Sequence, residues 1–387
     1  MKKIASLLAL FLVIGYLSGC SWSKKQNLPV KTEAPAIKIG AILPLSGSVA
    51  QLGVSIQQGI SLRQKQINEN GGINGQMLDI VFEDSMGDIT TAVTAYHKLV
   101  TQDINALIVA TGAEAIAPLA EKEKIPMLAT FNSAAGIPEM GEYIFRFFTN
   151  ADMDVPVLAD FATGDLKLKK FAIIYPQEEY GISYANKFAS EVEKAGGEVA
   201  DKESYLFTEK DYRTQLLKIR GKSPDGIYLI GYDFQIITIL GKMAEMDMSR
   251  EVTKLAIGTI TTQEAIVMGS GLLEGTYSSA FCNPLPKDYI LAFSDKFSQL
   301  PPFFSVFGYD SLRLLENAIE ILGSSRDNIR DGLAKTKDID LLIGKVSMSP
   351  VGEASYATCP MKIDNNKLLN LKTNEYYKYP NEIIKAN

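Results

Sequence analysis

The feature that most constrains the fold is the alternation of short apolar runs with longer segments in which apolar residues recur every three or four positions. Short apolar runs bounded by turn residues are typical of buried strands, whereas the longer pattern is typical of amphipathic helices. In the first part of the chain the predicted strands are 37–43, 78–83, 106–110 and 127–130, and the helices between them are 53–69, 90–101 and 114–122. This order predicts a parallel, doubly wound sheet.

The same alternation begins again near residue 171. The second set comprises strands at 171–175, 198–204, 226–230, 254–257 and 276–281, helices at 183–195, 212–220 and 235–246, and a last helix at 309–322. Two α/β units within 387 residues favour two domains. Because ligands of open α/β sheets bind outside the carboxyl ends of the strands, we expect a cleft where two such sheet edges face each other.

The first twenty residues predict secretion and attachment to a lipid. A short basic start precedes an apolar stretch over 4–17, which runs into Leu17-Ser18-Gly19-Cys20 and is similar to a bacterial lipobox. We therefore expect a signal peptide over 1–19, acylation of Cys20, and a flexible tether over 20–35 on a membrane-anchored, extracytoplasmic protein. The alternative is an ordinary signal peptide with a chance cysteine.

Charge and motif content disfavour nucleic-acid binding and catalysis. The formal net charge is −6, and the sequence has no basic stripe that could neutralise phosphates. The one histidine, His97, lies in an amphipathic helical segment, where we expect a surface position. No HExxH, GxSxG or P-loop pattern occurs, and no His/Cys cluster suggests a metal. We therefore expect a binding protein without cofactor or metal rather than an enzyme.

Short motifs follow one another in a characteristic order along the chain. They are Ile39-Gly40, Pro44-Leu45-Ser46-Gly47, the run 67–75, Ala117-Pro118-Leu119-Ala120-Glu121 with Ile125-Pro126, Phe145-Arg146, Tyr180-Gly181, Gly308-Tyr309-Asp310 and Gly344-Lys345-Val346. Together they resemble type I periplasmic solute-binding proteins of the leucine/isoleucine/valine-binding group. The resemblance extends over nearly the whole chain beyond the tether.

The resemblance implies two Rossmann-like lobes with parallel sheets, joined by three crossover strands near Asn150, Asn283 and Thr358. Each implied lobe combines two stretches of the chain, 36–150 with 284–357 and 151–283 with 358–387. The resemblance also implies that the lobes close around an amino acid or a similar small solute and deliver it to an ABC transporter permease. The sequence leaves open a ligand-sensing module for a receptor or sensor kinase.

By the same resemblance, the ligand-binding residues come from loops that follow strands. The predicted set is Ser46, Thr111, Ala113, Phe131, Ser133, Tyr180, Tyr232, Asp233 and Thr259. Ser133 matches a position whose hydroxyl and N–H hold a ligand carboxylate; its alternative role is a plain helix N-cap. Ala113 replaces the serine of a second carboxylate loop, in which Thr111 is the substitute hydroxyl.

The sequence offers fewer candidate contacts for the parts of the ligand other than its carboxylate. Tyr180 and Tyr232 match tyrosines of the family's cleft, with Phe131 as a further wall; core or rim positions are the alternative. The family often has an acidic residue after the strand preceding 258–262, but this segment has none, so Asp233 is the candidate counter-charge unless it is only a solvated or capping residue. The ligand is therefore an aliphatic or aromatic amino acid, which the family favours, or a carboxylate or amide without an α-ammonium group.

The two cysteines beyond Cys20 are predicted to pair. Cys282 and Cys359 lie near the second and third implied crossovers, and a secreted protein meets an oxidising environment in which disulfides persist. The alternative is two buried free thiols that pack as small apolar groups.

Overall fold

The computed structural model describes residues 35–134 and 136–385. The predicted signal peptide, the predicted acylation site Cys20 and nearly all of the predicted tether lie outside the described residues. The described residues from Pro35 onward form one compact unit. None of the described helices combines the length and the apolar composition that crossing a bilayer requires.

Within the described residues, five parallel strands form the first sheet: β1 (Ile37–Leu43), β2 (Leu78–Asp84), β3 (Ala106–Val109), β4 (Met127–Ala129) and β5 (Ile144–Arg146). Their spatial order is β2-β1-β3-β4-β5. The helices that connect the first four strands are α1 (Ala50–Glu69), α2 (Ile89–Val100) and α3 (Ala113–Lys122). The four strands and three helices predicted here are confirmed with small shifts at their ends, whereas β5 was not predicted.

The second sheet begins as a parallel sheet and continues as an antiparallel one. Its parallel part consists of β6 (Lys170–Pro176), β7 (Glu198–Tyr205), β8 (Gly226–Leu229), β9 (Thr253–Ala256) and β10 (Tyr277–Phe281). A small antiparallel sheet follows in the chain, with β11 (Ile339–Leu341), β12 (Gly344–Met348) and β13 (Ala354–Ser355). The strands β14 (Thr358–Asp364), β15 (Lys367–Asn370) and β16 (Glu375–Tyr376) complete the second sheet. Over the described part of the chain its order is β16-β15-β14-β10-β9-β8-β6-β7, so the predicted parallel sheet is mixed.

The helices of the second half flank these sheets. They are α4 (Ala151–Asp160), α5 (Glu179–Lys194), α6 (Arg213–Gly221), α7 (Asp233–Glu245), α8 (Gln263–Gly269), α9 (Lys287–Phe297), α10 (Ser305–Leu322), α11 (Arg326–Ala334) and α12 (Pro380–Lys385). The predictions of α5, α6, α7 and α10 are confirmed. Short 3₁₀ turns occur at Pro138–Met140, Met248–Arg250 and Gly258–Thr261, and a π turn at Phe161–Asp165.

Apolar side chains of the two large sheets are buried in separate cores. The core of the second sheet combines residues between Ala151 and Leu273 with residues between Cys359 and Tyr379. The cores around the first sheet combine the region before α4 with the region from Phe281 to Ala354. The described chain therefore passes three times between the two regions, and the lobe boundaries themselves stay a prediction.

The predicted disulfide is confirmed. Cys282 follows β10 directly and Cys359 lies in β14, and their Cα atoms are 5.0 Å apart. Because β10 and β14 are antiparallel neighbours, with Ala280 opposite Cys359, the bond ties two strands of the second sheet together. The segment between the two cysteines contains α9, α10 and α11, which pack around the first sheet.

Candidate functional site

The candidate site lies at the carboxyl ends of the parallel strands, where the chain turns from strand to helix. At the edge of the first sheet, the loops after β1, β3 and β4 carry Ser46, Thr111, Phe131 and Ser133, and Ala113 begins α3 directly after the second of these loops. At the edge of the second sheet, the loops after β6, β8 and β9 lead into segments that carry Tyr180, Tyr232, Asp233 and Thr259. The nine predicted residues thus form two groups, one at each sheet edge.

Ser46 organises the first loop. Its hydroxyl donates to Asp84 Oδ2 at 2.6 Å, and its N–H donates to Asp84 Oδ1 at 3.2 Å. Asp84 also accepts the N–H groups of Leu45 and Met86, at 2.9 and 2.7 Å. Burial works to raise the pKa of Asp84, but the hydrogen bonds, first among them that from Ser46, hold this pKa below its ordinary value. The Ser46 hydroxyl therefore already has an acceptor within the fold.

The loop before α3 offers backbone N–H groups. Gly112 is the N-cap residue with φ 73°, a left-handed conformation that glycine adopts at low cost. The N–H of Ala115 donates to the Gly112 carbonyl at 3.1 Å, so the N–H groups of Ala113 and Glu114 precede the hydrogen-bond ladder of the helix. The side chain of Ala113 is fully buried. Ala113 can therefore offer an anion its N–H but not its side chain.

The loop after β4 is fixed by side chains rather than by a helix. Asn132 Nδ2 donates to Glu114 Oε1 at 3.0 Å, and Asn132 Oδ1 accepts the N–H of Ala134 at 2.9 Å. The first of these bonds joins this loop to the first turn of α3. Ser133 lies between them, and in the described chain the next helical turn is Pro138–Met140. The interpretation of Ser133 as a helix N-cap is therefore wrong.

Phe131 presents a fixed aromatic ring at the first sheet edge. Its φ of 54° is rare for a bulky residue, and such conformations cost about 1–3 kcal/mol each. The ring packs edge-on against Phe148 and Phe304, with centroids 5.4 and 5.1 Å away. Since the residue is half-buried, part of its surface remains accessible, which suits the predicted wall role.

At the second sheet edge, the structure brings the two predicted tyrosines together. The rings of Tyr180 and Tyr232 meet edge-on with centroids 5.7 Å apart. Phe207 and Phe234, which were not predicted, pack against Tyr232 with centroids 5.9 and 6.0 Å away. We call these four residues the second-sheet aromatic cluster. Phe207 and Phe234 are each 47% exposed, so the cluster has a surface open to a ligand.

Asp233 and Thr259 have partners of their own at this edge. Asp233 begins α7, and its Oδ1 accepts the N–H of Phe234 at 2.8 Å. The Thr259 hydroxyl donates to the carbonyl of Gly231 at 2.9 Å, which holds the loops after β8 and β9 together. Both side chains therefore contribute to the geometry of the loops that carry the aromatic cluster.

Glu178 is a residue of this edge that the sequence analysis did not single out. It is the N-cap residue of α5, directly before the segment that carries Tyr180. Its Oε2 atom and the hydroxyl of Tyr180 are buried without a hydrogen-bond partner among the described residues. The signal that could have found it is a carboxylate in a loop after a strand, two positions before a tyrosine of the family's cleft.

A small apolar cavity of about 70 Å³ lies elsewhere between the two sheets. Residues of the second-sheet region that line it include Thr261, Thr262 and Tyr379, and residues of the first-sheet region include Phe303 and Val306. None of the nine predicted ligand residues lines this cavity, so we do not assign it to the candidate site.

Groups suited to catalysis or metal binding include histidine and clusters of His, Cys, Asp or Glu side chains. His97 is exposed on α2, away from the strand-end loops, as expected. Across the described residues, no three His, Cys, Asp or Glu side chains are arranged to hold a metal ion.

Sequence comparisons identify relatives over most of the chain. The sequence model of the family described as periplasmic binding protein matches residues 36–364. A "Leu/Ile/Val-binding protein homolog 3" from Brucella melitensis is 26% identical over 348 residues, which cover 87% of this chain and 94% of that protein. A "Leucine-, isoleucine-, valine-, threonine-, and alanine-binding protein" from Pseudomonas aeruginosa is 27% identical over 302 residues, covering 76% of this chain and 80% of that protein.

Solved structures share the fold. The branched-chain amino acid transporter substrate binding protein LivJ from Streptococcus pneumoniae, in complex with isoleucine, aligns with a TM-score of 0.75 at 23% identity, covering 86% of this chain and 97% of that one. A solute binding protein of an ABC transporter from Rhodopseudomonas palustris, in complex with 3,4-dihydroxybenzoic acid, aligns with a TM-score of 0.76 at 20% identity. That alignment covers 87% of this chain and 95% of the other.

Proposed function

Because the chain belongs to the type I periplasmic binding proteins, a family of solute-binding proteins rather than enzymes, we propose that it is the extracytoplasmic, lipid-anchored solute-binding protein of an ABC importer. Its ligand is a small molecule with a carboxylate group. The observation that carries this proposal is the pair of sheet edges, since each one offers groups that suit a different part of such a ligand.

The ligand is enclosed by closure of two lobes. We assign 36–150 with 284–357 to the first lobe and 151–283 with 358–387 to the second, with crossovers near Asn150, Asn283 and Thr358; the separate cores of the two sheets support this assignment. A ligand that contacts both lobes only when they are close together shifts an open–closed equilibrium toward the closed form.

The first lobe holds the carboxylate. The candidate groups are the Ser133 hydroxyl in the loop after β4, and the Thr111 hydroxyl and the N–H groups of Ala113 and Glu114 at the start of α3. The Asn132–Glu114 hydrogen bond joins these two segments. Hydroxyls and N–H groups at a helix N-terminus bind anions well, because they donate without adding negative charge. The carboxylate of Glu114 is engaged by Asn132, which lessens its repulsion of a bound anion.

The body of the ligand lies against aromatic rings. Phe131 on the first lobe and the second-sheet aromatic cluster on the other provide apolar surfaces for an aliphatic or aromatic side chain. The names of the relatives favour a branched-chain amino acid, whereas the Rhodopseudomonas palustris neighbour holds an aromatic acid without an ammonium group. We favour an aliphatic or aromatic amino acid.

The anchor and the partner follow from the N-terminal segment and from the family. Acylation of Cys20 holds the protein on the outer face of a membrane by way of the tether 20–35, within reach of an ABC permease. The Cys282–Cys359 bond supports an extracytoplasmic location, because disulfides persist mainly in oxidising compartments.

A thermal-shift screen tests the proposal. The protein lacking residues 1–20 is heated with amino acids and with small carboxylic acids, and we expect one compound class to raise the midpoint of unfolding in a saturable manner. A ligand at about 100 times its Kd adds about 2.7 kcal/mol to the free energy of unfolding. Turnover of a compound, or no stabilisation by either class, would contradict the proposal.

A further inference from the structure

Glu178 has a buried carboxylate oxygen that the fold does not use. As the N-cap residue of α5 it accepts the N–H of Ile182 through its carbonyl at 3.1 Å, but its side chain makes no capping hydrogen bond. Its Oε2 is buried, and no donor among the described residues reaches it. The N-terminus of α5 favours the negative charge of Glu178, but burying this oxygen without a donor is unfavourable, so the oxygen is available to a donor from a ligand.

The surroundings of this carboxylate are tyrosines. Burial raises the pKa of Tyr180, Tyr205 and Tyr232, and the negative charge of Glu178 adds to the rise for all three. Tyr205 donates its hydroxyl to the carbonyl of Ile230 at 2.6 Å. The hydroxyl of Tyr180, in contrast, is buried without a partner. The start of α5 thus carries two buried oxygen atoms, on Glu178 and Tyr180, that are able to accept hydrogen bonds from a ligand.

The other acids of this edge are less suitable. Asp233 Oδ1 already accepts the N–H of Phe234, and Glu179 is exposed to solvent. A carboxylate in water gains little from pairing with a cation, whereas a partly desolvated carboxylate gains more because the pair is less screened. Glu178 is therefore the acid of this edge best placed to pair with a positive charge.

The aromatic cluster adds to this preference. The faces of tyrosine and phenylalanine rings attract cations through their quadrupole, most strongly where water is excluded. Tyr232 links the cluster together, since it contacts Tyr180 on one side and the half-exposed Phe207 and Phe234 on the other. A carboxylate beside such rings is a suitable environment for an ammonium group.

We propose that Glu178 is the counter-charge for the ammonium group of the ligand, with the Tyr180 hydroxyl as a second acceptor and the aromatic cluster around it. This inference rests on the proposed function. Among the ligands considered there it selects a zwitterionic amino acid over a carboxylate or amide without an ammonium group, and it assigns the role of counter-charge to Glu178 instead of Asp233.

The test is calorimetry on the full chain in detergent, with L-leucine, L-phenylalanine and their des-amino analogues 4-methylpentanoate and 3-phenylpropanoate. The variant Glu178→Gln removes the charge and keeps the shape, and Glu179→Gln is its exposed neighbour and matched control. We expect Glu178→Gln to weaken amino-acid binding at least about tenfold, as the loss of a charge-assisted hydrogen bond does. Glu179→Gln should leave the affinity unchanged, and neither variant should weaken the des-amino analogues.

Melting of the ligand-free proteins separates a binding effect from misfolding. Because the Glu178 oxygen has no donor to lose, Glu178→Gln should melt at the same temperature as the parent chain or higher. Equal amino-acid affinity in the parent chain and in Glu178→Gln would overturn the inference, as would tight binding of the des-amino analogues, and both results would leave the proposed carboxylate-binding function standing. Binding of none of the four probes would overturn the inference, and the proposed function would be overturned with it only if the thermal-shift screen also finds no stabilising compound in either class.

Discussion

A hydroxyl hydrogen can be donated to only one acceptor at a time, and two hydroxyls of the predicted site are already donating within the fold. Ser46 donates to Asp84 at 2.6 Å, and Thr259 donates to the carbonyl of Gly231 at 2.9 Å. The first bond joins the loop after β1 to the end of β2, and the second joins the segments that follow β9 and β8. At the scale of single residues, these two side chains therefore fix the conformation of the site. Because each hydroxyl hydrogen is already donated, each oxygen can contact a ligand only as a hydrogen-bond acceptor.

Replacing Ser46 by Ala should lower the free energy of unfolding at neutral pH by about 1–2 kcal/mol, because Asp84 loses a charge-assisted hydrogen bond. The pKa of Asp84 is lowered in the folded protein, so its stabilising effect is present above its unfolded-state pKa and is lost as the pH falls through the folded-state pKa. The difference between the variant and the parent chain should therefore shrink in acid, as measured by urea unfolding over a pH series.

The exposed Ser48, whose side chain has no hydrogen bond in the described structure, provides the matched control. Ser48→Ala should leave unfolding unchanged at every pH. A deficit of Ser46→Ala that is equally large in acid would contradict the role of Asp84 as the acceptor.

The site could be predicted from sequence only in part. The motif positions locate Tyr180 and Tyr232, and the structure brings these rings into contact. The buried, unpartnered oxygen of Glu178 could not be predicted, because burial and missing donors depend on how separate loops pack. In the same way, the sequence pattern around Ser133 fits a helix N-cap, whereas the neighbouring side chain of Asn132 fixes an irregular loop there.

At the scale of elements, two helices far apart in sequence approach each other closely through glycines. A Cβ atom at Gly59 of α1 would lie 1.9 Å from the carbonyl oxygen of Ser305, and one at Gly308 of α10 would lie 2.1 Å from that of Ile56. These distances are far inside van der Waals contact with backbone atoms, which cannot rotate away. The contact sets how α1, which follows the Ser46 loop, packs against α10.

Gly59→Ala should therefore destabilise the protein by about 1–3 kcal/mol or more, because α1 and α10 must separate. Gly221, the last residue of α6, is the control, since a Cβ there would meet nothing within 4 Å. Gly221→Ala should be neutral or stabilising by up to about 1 kcal/mol, since alanine reduces the freedom of the unfolded chain. Denaturant unfolding of both variants measures the difference, and equal effects would contradict the close approach.

Elements with a strong local pattern were predictable, and those set by packing were not. Buried parallel strands such as β1 are nearly continuous apolar runs, and α5 and α10 carry regular apolar faces. The strand β5 has only three residues, and α4 contains Pro156 and buries Asp154, which obscures its pattern. The β14–β15 hairpin did have a local sequence signal, which is the pair Asn365-Asn366. These two residues adopt φ of 53° and 55°, and tight hairpin turns require such positive angles.

At the scale of the whole molecule, the disulfide links the two ends of a segment that leaves the second sheet, packs around the first sheet and returns. It joins residues 77 positions apart, and the helices α9 to α11 lie between them. The two ends of this segment are attached to neighbouring strands, β10 and β14. The bond therefore restricts how the unfolded chain can spread and keeps two of the proposed crossovers side by side.

Reduction of the Cys282–Cys359 bond should lower the free energy of unfolding by roughly 4–5 kcal/mol, as the chain-entropy model gives for so long a loop. The measurement is guanidinium unfolding with and without reductant. The double variant Cys282→Ala/Cys359→Ala is the control, and reductant should not change its unfolding. Identical curves for the oxidised and reduced parent chain would contradict a stabilising role of the bond.

The central claim is that one small solute bridges the two lobes and closes them. Small-angle X-ray scattering tests it most directly, on protein lacking residues 1–20, with and without a saturating amount of the compound that stabilises it most in the thermal-shift screen. Because contacts to both sheet edges require the lobes to approach, the radius of gyration should fall on ligand binding. An unchanged radius of gyration at saturation would place the ligand on one lobe alone and contradict the account.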